Sequence, residues 1–236
     1  MQNPKVLVII PAYNEEGSIA AVIKRIQEAA GLIDGTLDIV VVNDGSRDGT
    51  SRAARAAGAT AVIDLPFNLG IGGAMQTGYL YAHQNGYDIA LQIDADGQHN
   101  PADIPTVIEP LLLGEANFAI GSRYVEKTAY RSSAMRRAGM IFFTWLLKAT
   151  TRQTVKDPTS GFRAADKRVI EMFAKDYPVD YPEVEVIVHV AQSGLRFQEV
   201  PVEMSARKAG SSSITPLKAI YYMVKVGLAV LISATR

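Results

Sequence analysis

Short apolar runs alternate with longer segments of mixed polarity through the first half of the chain. VLVIIP (6–11), LDIVVVN (37–43), TAVIDL (60–65), YDIALQID (87–94) and NFAIGS (116–121) have strand length and are rich in β-branched residues. The stretches between them have helical length and patterning. This alternation predicts an α/β fold in which a mostly parallel sheet carries helices on both faces. Such sheets bind ligands beyond the carboxyl ends of their strands. From about Tyr124 the rhythm is lost. A helix is predicted around 135–150, then a turn-rich DPTSGFR (157–163), helices near 166–175 and 183–193, and a strand in RFQEVPVEM (196–204). AGSSS (209–213) reads as a flexible loop.

Composition narrows this picture. A chain of 236 residues, 48% hydrophobic and 20% charged, suits one large α/β domain or two small ones, with an ample core. Its 24 basic and 24 acidic residues leave no net charge, which argues against a protein that binds nucleic acid through a basic excess. Without cysteine there is no disulfide, thiolate metal site or thiol nucleophile. The apolar stretch of MQNPKVLVIIP is too short for a signal-peptide core and reads as a first strand.

The candidate chemistry lies where the strands end. These tips are PAYNEE (11–16), NDGSRDGT (43–50), the glycine-rich NLGIGGAMQTG (68–78) and DADGQH (94–99). In a parallel sheet they fall along one edge, so Glu15, Asp44, the glycines and the pair Asp94 and Asp96 are expected in one crevice. Each stretch also has an ordinary explanation. PAYNEE can be an acidic first helical turn, NDGS and RDGT common turns, and Asn100-Pro101 a helix start. The dinucleotide-binding glycine fingerprint is absent. What the ordinary explanations leave unaccounted for is the joint occurrence of these stretches at matching strand ends. Two aspartates one residue apart repel each other unless a cation lies between them.

PAYNEE, VVNDGSRDGT, NLGIGGAMQTG, DADGQH, GSRY and DPTSGFR together resemble glycosyltransferase family 2, in its polyprenyl-phosphate, dolichol-phosphate mannosyltransferase-like branch. The resemblance implies a Rossmann-like GT-A fold and an inverting transfer of a sugar from a UDP- or GDP-linked donor to a polyprenyl phosphate. It also implies that Asp94, Asp96 and Gln98 hold Mg²⁺ or Mn²⁺, with His99 a neighbour rather than a ligand. Pro11, Ala12 and Tyr13 would wrap the base, Glu15 the ribose, and Asp44 a base N–H. Asn68 and Gly70 would bring backbone close to the ribose or phosphates, and Arg207 and Ser211 would close over the phosphates. On the acceptor side stand Arg123, Arg137 and Ser160 as phosphate contacts. Asp157 is the candidate base, or else it positions the acceptor or an arginine.

Two membrane-related readings complete the expectations. The apolar run Met140–Leu147 is either core or a lipid-facing surface. Residues 1–215 are expected to form one catalytic domain. Residues 216–236 are expected to form an amphipathic helix lying on the membrane, because Lys218 and Lys225 share a helical face. The resulting expectation is a peripheral protein at the cytoplasmic face, with a separate membrane subunit as a further partner. A saccharide or other hydroxyl acceptor, and a non-catalytic nucleotide-binding subunit, are the alternatives.

Overall fold

The computed structural model describes residues 3–125, 134–151, 153–178 and 182–204, together with Lys225 and Gly227. Seven strands form one sheet: β1 (Lys5–Ala12), β2 (Thr36–Asn43), β3 (Ala61–Asp64), β4 (Ile89–Gln92), β5 (Phe118–Ser122), β6 (Arg163–Asp166) and β7 (Phe197–Pro201). Their order is β3-β2-β1-β4-β6-β5-β7. Only β6 is antiparallel to its neighbours β4 and β5. The expected mostly parallel sheet is therefore observed, and the strand order reverses between β1 and β4, where such sheets open a ligand crevice.

Among the described residues seven α-helices cover it: α1 (Ile19–Ala29), α2 (Thr50–Ala56), α3 (Gly70–Gln84), α4 (Ile104–Leu112), α5 (Ala134–Thr151), α6 (Lys167–Lys175) and α7 (Pro182–Gln192). Side chains alternate across each strand, so the sheet sorts its apolar residues into two cores. Val6, Val8, Ile10, Ile39 and Val41 pack with α1 and α4. Leu7, Ile9, Val40 and Val42 pack with α3, α5, α6 and α7 on the other face. The strands read as continuous apolar runs because both faces are buried.

The second half departs from expectation at one element. The turn-rich segment was expected to lead straight into a helix, yet Arg163–Asp166 forms β6 and fills the place between β4 and β5. Asp166 then caps α6 by accepting hydrogen bonds from the N–H groups of Arg168 and Val169. The expected helix start at Asn100-Pro101 is present as a short 3₁₀ turn leading into α4, with the Asn100 side chain accepting from Ala102 N–H. On α5 the apolar run is core on one face and exposed on another. Phe143, Leu146 and Leu147 are buried, while Ile141 and Trp145 on another face are 65% and 66% exposed. No helix among the described residues is long and apolar enough to cross a membrane. The expected helix at 216–236 lies outside the described residues, apart from Lys225 and Gly227.

Candidate active site

The first two strand tips are tied together by hydrogen bonds. Asn14, at φ 55°, turns the chain after β1. Its N–H donates to Ser46 Oγ (2.9 Å), and its Oδ1 accepts from Arg47 N–H (2.9 Å). Glu15 N–H donates to Thr50 Oγ1, and Gly49 N–H donates to a Glu16 carboxylate oxygen. Burial works to raise the Asp48 pKa, but hydrogen bonds from the Thr50 hydroxyl and N–H and from Glu16 N–H outweigh it, so the carboxyl lies below its ordinary value. The tips form one rigid rim, with Pro11 half-buried, Ala12 buried and the Tyr13 ring 46% exposed above it. The Glu15 carboxylate accepts from Ser18 Oγ.

The third tip is held by Asp44. Its Oδ1 accepts from Leu69 N–H (2.7 Å) and its Oδ2 from Gly70 N–H (3.0 Å), while Asn68 Nδ2 donates to its main-chain carbonyl. A buried carboxylate thus sits at the N-terminus of α3, where the helix dipole and unpaired N–H groups favour negative charge. Gly45 permits this closure. It has φ 68°, and a Cβ there would lie 2.7 Å from the backbone of Phe67 and Asn68.

The fourth tip carries the aspartate pair. Asp94 accepts from Gln92 Nε2 (3.1 Å), and its backbone N–H donates to His99 Nδ1 (3.1 Å). That bond places the ring proton on Nε2 and uses the nitrogen a metal would need. His99 is buried and stacks on Phe162 at 5.0 Å. It shapes the loop around Asp94. Asp96 Oδ1 accepts from Gln98 N–H (3.0 Å) across the turn at Gly97, whose φ is 74°. Among the described residues no three His, Cys, Asp or Glu side chains converge on one point. An all-protein cage is therefore not what the loop offers. Two partly exposed carboxylates and an amide suit a hard cation that completes its shell with phosphate oxygens and water, as Mg²⁺ and similar ions do.

The residues expected on the acceptor side approach Asp94 through the loop that precedes β6. Arg123 and Asp157 form a two-pronged ion pair. Nε donates to Oδ2 and Nη2 to Oδ1, both at 2.7 Å, and Arg123 N–H adds a third bond to Oδ2. Asp157 is fully buried, and the Arg123 side chain is 11% exposed. The loop that carries Asp157 is braced from β7, where Glu199 accepts from the N–H groups of Lys156 and Asp157 at 2.7 Å each. Ser160 is buried, its N–H donating to Asp157 C=O and its Oγ accepting from Phe162 N–H. Gly161 then lies against Asp94: a Cβ there would stand 2.8 Å from Asp94 Oδ2. The loop that carries Asp157 and Ser160 thus also reaches Asp94.

Several expected residues fall elsewhere. Arg207 and Ser211 lie outside the described residues, and for Arg137 only the backbone, in the first turns of α5, is described. A shallow groove lined by Leu112, Asn117, Arg168 and Arg196 opens at the other end of the strands and contains none of the expected residues. Sequence reasoning passed over Glu199, Gly161 and Arg163. Arg163 is buried at the start of β6 and donates to the carbonyls of Ser160 (2.6 Å) and Pro158 (2.9 Å). The available signal was an arginine and a glycine flanking a buried phenylalanine within a motif already singled out.

Residues 7–189 match the model of the family described as glycosyl transferase family 2. The chain belongs to glycosyl transferase family 2. Among its relatives in this family is a UDP-N-acetylglucosamine–dolichyl-phosphate N-acetylglucosaminyltransferase of Methanococcus voltae, 29% identical over 86% of each chain. Another is the polyprenol monophosphomannose synthase of Mycolicibacterium smegmatis, 28% identical over 89% of this chain and 81% of that one. Of solved structures, glucosyl-3-phosphoglycerate synthase from Mycobacterium tuberculosis, in complex with Mn²⁺, UDP and glucosyl-3-phosphoglycerate, superimposes with a TM-score of 0.73. It is 26% identical, and the match covers 98% of this chain and 80% of that one. The GT-A architecture of this family 2 member is thus the one expected from its strand-tip motifs.

Proposed function

We propose that this glycosyltransferase moves a sugar, with inversion, from a UDP- or GDP-linked donor to a polyprenyl phosphate at the cytoplasmic face of a membrane. The observation that carries the choice of acceptor is the Arg123–Asp157 pair. A hydroxyl acceptor needs a base, and the residue best placed by sequence for that role is fully buried with both carboxylate oxygens engaged by one guanidinium. A phosphate monoester needs none, because it is already ionised near neutral pH. The relatives named for dolichyl phosphate and polyprenol support the same acceptor. The exposed Ile141 and Trp145 on α5 support a site that works against a lipid surface.

In this reading an acceptor phosphate oxygen attacks the anomeric carbon in line as the bond to the nucleoside diphosphate breaks, and the diphosphate leaves with the electron pair. The rim of Pro11, Ala12, Tyr13 and Glu15 holds the nucleoside. Asp44 fixes the glycine-rich turn, so that the backbone around Asn68 and Gly70 lies beside the diphosphate. Asp94, Asp96 and Gln98 would hold Mg²⁺ or Mn²⁺, whose chemistry is to neutralise charge on the departing diphosphate. Asp157 orients Arg123, and Arg123 with Arg137 and Ser160 forms the acceptor side. Arg207 and Ser211, outside the described residues, keep the donor-phosphate role that the family resemblance implies.

A transfer assay tests this. Purified protein, Mn²⁺, a panel of UDP- and GDP-sugars and a polyprenyl phosphate are combined, and the lipid product is weighed by mass spectrometry. One donor is expected to yield a glycosylated lipid phosphate, lost with Asp96→Asn. Nucleotide binding without lipid product from any donor would move the acceptor to a hydroxyl compound and sink the polyprenyl reading.

A further inference from the structure

Glu183 is the charged group near the crevice that the roles above leave unused. It lies in the first turn of α7, where an acid complements the helix dipole, and an exposed carboxylate would serve that purpose. This one is turned inward. Although the residue retains partial exposure, its Oε2 atom is buried and accepts no hydrogen bond. Burial pushes its pKa up, opposed by its own backbone N–H and by the charge of Arg163, and reinforced by the charge of Asp94. Glu183 is therefore within electrostatic reach of Arg163 and Asp94.

The register of the sheet explains that proximity. Gln92 on β4 and Arg163 on β6 are facing partners. Arg163 lies over the Phe118 ring, on the sheet face covered by α3 and α7. Gln92 is on the same face and donates to Asp94. Arg163 holds the carbonyls of Pro158 and Ser160, which brings Gly161 against Asp94. The first turn of α7 thus packs on the sheet face that carries Arg163 and Gln92, the residue that donates to the first aspartate of the pair.

A buried acceptor without a partner costs a folded protein about 1–3 kcal/mol. Such a cost is explained when a ligand supplies the missing donor. A phosphate has no proton to offer and would be repelled by a carboxylate. A sugar hydroxyl is a donor, and the transferred sugar is the polyol that the reaction brings beside Asp94. We propose that Glu183 Oε2 accepts a hydrogen bond from a ring hydroxyl of the transferred sugar and so helps to select which sugar is moved. This rests on the nucleotide-sugar reading above. A site that hydrogen-bonds a hydroxyl rejects a donor lacking it far more strongly than an apolar pocket rejects a change of size.

The test is Glu183→Met in the full chain, read by calorimetric titration and thermal unfolding, without any lipid acceptor. UDP and GDP are compared with UDP-glucose, UDP-N-acetylglucosamine and GDP-mannose, all with Mn²⁺. The expected result has three parts. The preferred nucleotide sugar loses about tenfold in affinity, equivalent to about 1.4 kcal/mol. Its free nucleoside diphosphate binds as before, and the unfolding midpoint holds or rises because the unpaired oxygen is gone. Equal losses for nucleotide and nucleotide sugar with a lower midpoint would make Glu183 a structural residue and overturn the inference. Unchanged affinities would overturn it as well. Wild-type protein that binds neither nucleotide nor nucleotide sugar would instead refute the donor reading, and the inference with it.

Discussion

Replacing Asp157 by alanine leaves the Arg123 guanidinium in a nearly dry site without its two-pronged partner. Breaking a buried pair from one side costs about 3–5 kcal/mol, and a loss of that size is expected in denaturant unfolding. Donor binding should survive, because the rim and the aspartate pair are built from other loops, and sugar transfer should be lost. If Asp157→Ala keeps both stability and turnover, the pair has no structural or positioning role. At this scale the sequence revealed which residues matter more readily than what they do. Asp157 stood out beside Pro158 in a turn-forming motif, but its role depends on Arg123, 34 residues away, and no local pattern encodes that distance. His99 shows the reverse. The sequence placed it beside Asp94 without a partner, and the structure adds the bond from Asp94 N–H to Nδ1.

At the level of elements, the crevice depends on two glycines that let one element approach another. Gly78 on α3 faces β1, where an added Cβ would come 2.3 Å from Ile9 Cγ2. Gly78→Ala is expected to lift α3 from the sheet and cost about 1–3 kcal/mol of unfolding free energy. Gly161→Ala should act differently, because its methyl would meet the Asp94 carboxylate rather than the core. Stability should change little, while Mn²⁺-dependent UDP binding should weaken by about tenfold or more, roughly 1.4 kcal/mol. Equal Mn²⁺-dependent titrations for wild type and variant would show that the loop does not shape the metal site. The strands covered on both faces were legible because each is a continuous apolar run. β6 was not: Arg-Ala-Ala-Asp is short, lacks β-branched residues and runs directly into a helix cap. Its strand conformation is imposed by the partners on either side. β7 was legible despite Pro201, which an edge strand tolerates.

For the whole molecule, charge and pH give a further expectation. Asp48, Asp64 and Asp88 lie below their ordinary value of 3.8, burial being outweighed by hydrogen bonds and, for the latter two, by Arg55 and Lys167. Their contribution is present above 3.8 and is lost as pH falls through the lowered values. Asp103 and Glu183 are raised by burial, so the folded state takes up their protons first and gains stability as pH drops from neutral toward their ordinary values. Thermal unfolding should therefore become more resistant as pH falls from neutral toward the ordinary carboxylate range, and less resistant as it falls further below 3.8. A midpoint that falls steadily from pH 7 downward would contradict the assignment. The fold class was readable from the alternation of runs, whereas the approach of the Asp157 loop to Asp94 depends on where β6 inserts. That insertion also fixes an order of events at the ribosome. β1 to β4 can pair as soon as they emerge, but one edge of β4 stays bare until β6 has been made, with β5, α5 and the Asp157 loop synthesised in between. The nascent chain thus carries an open strand edge, a template for mispairing with another chain, through much of its synthesis. The crevice is completed only when that edge is covered.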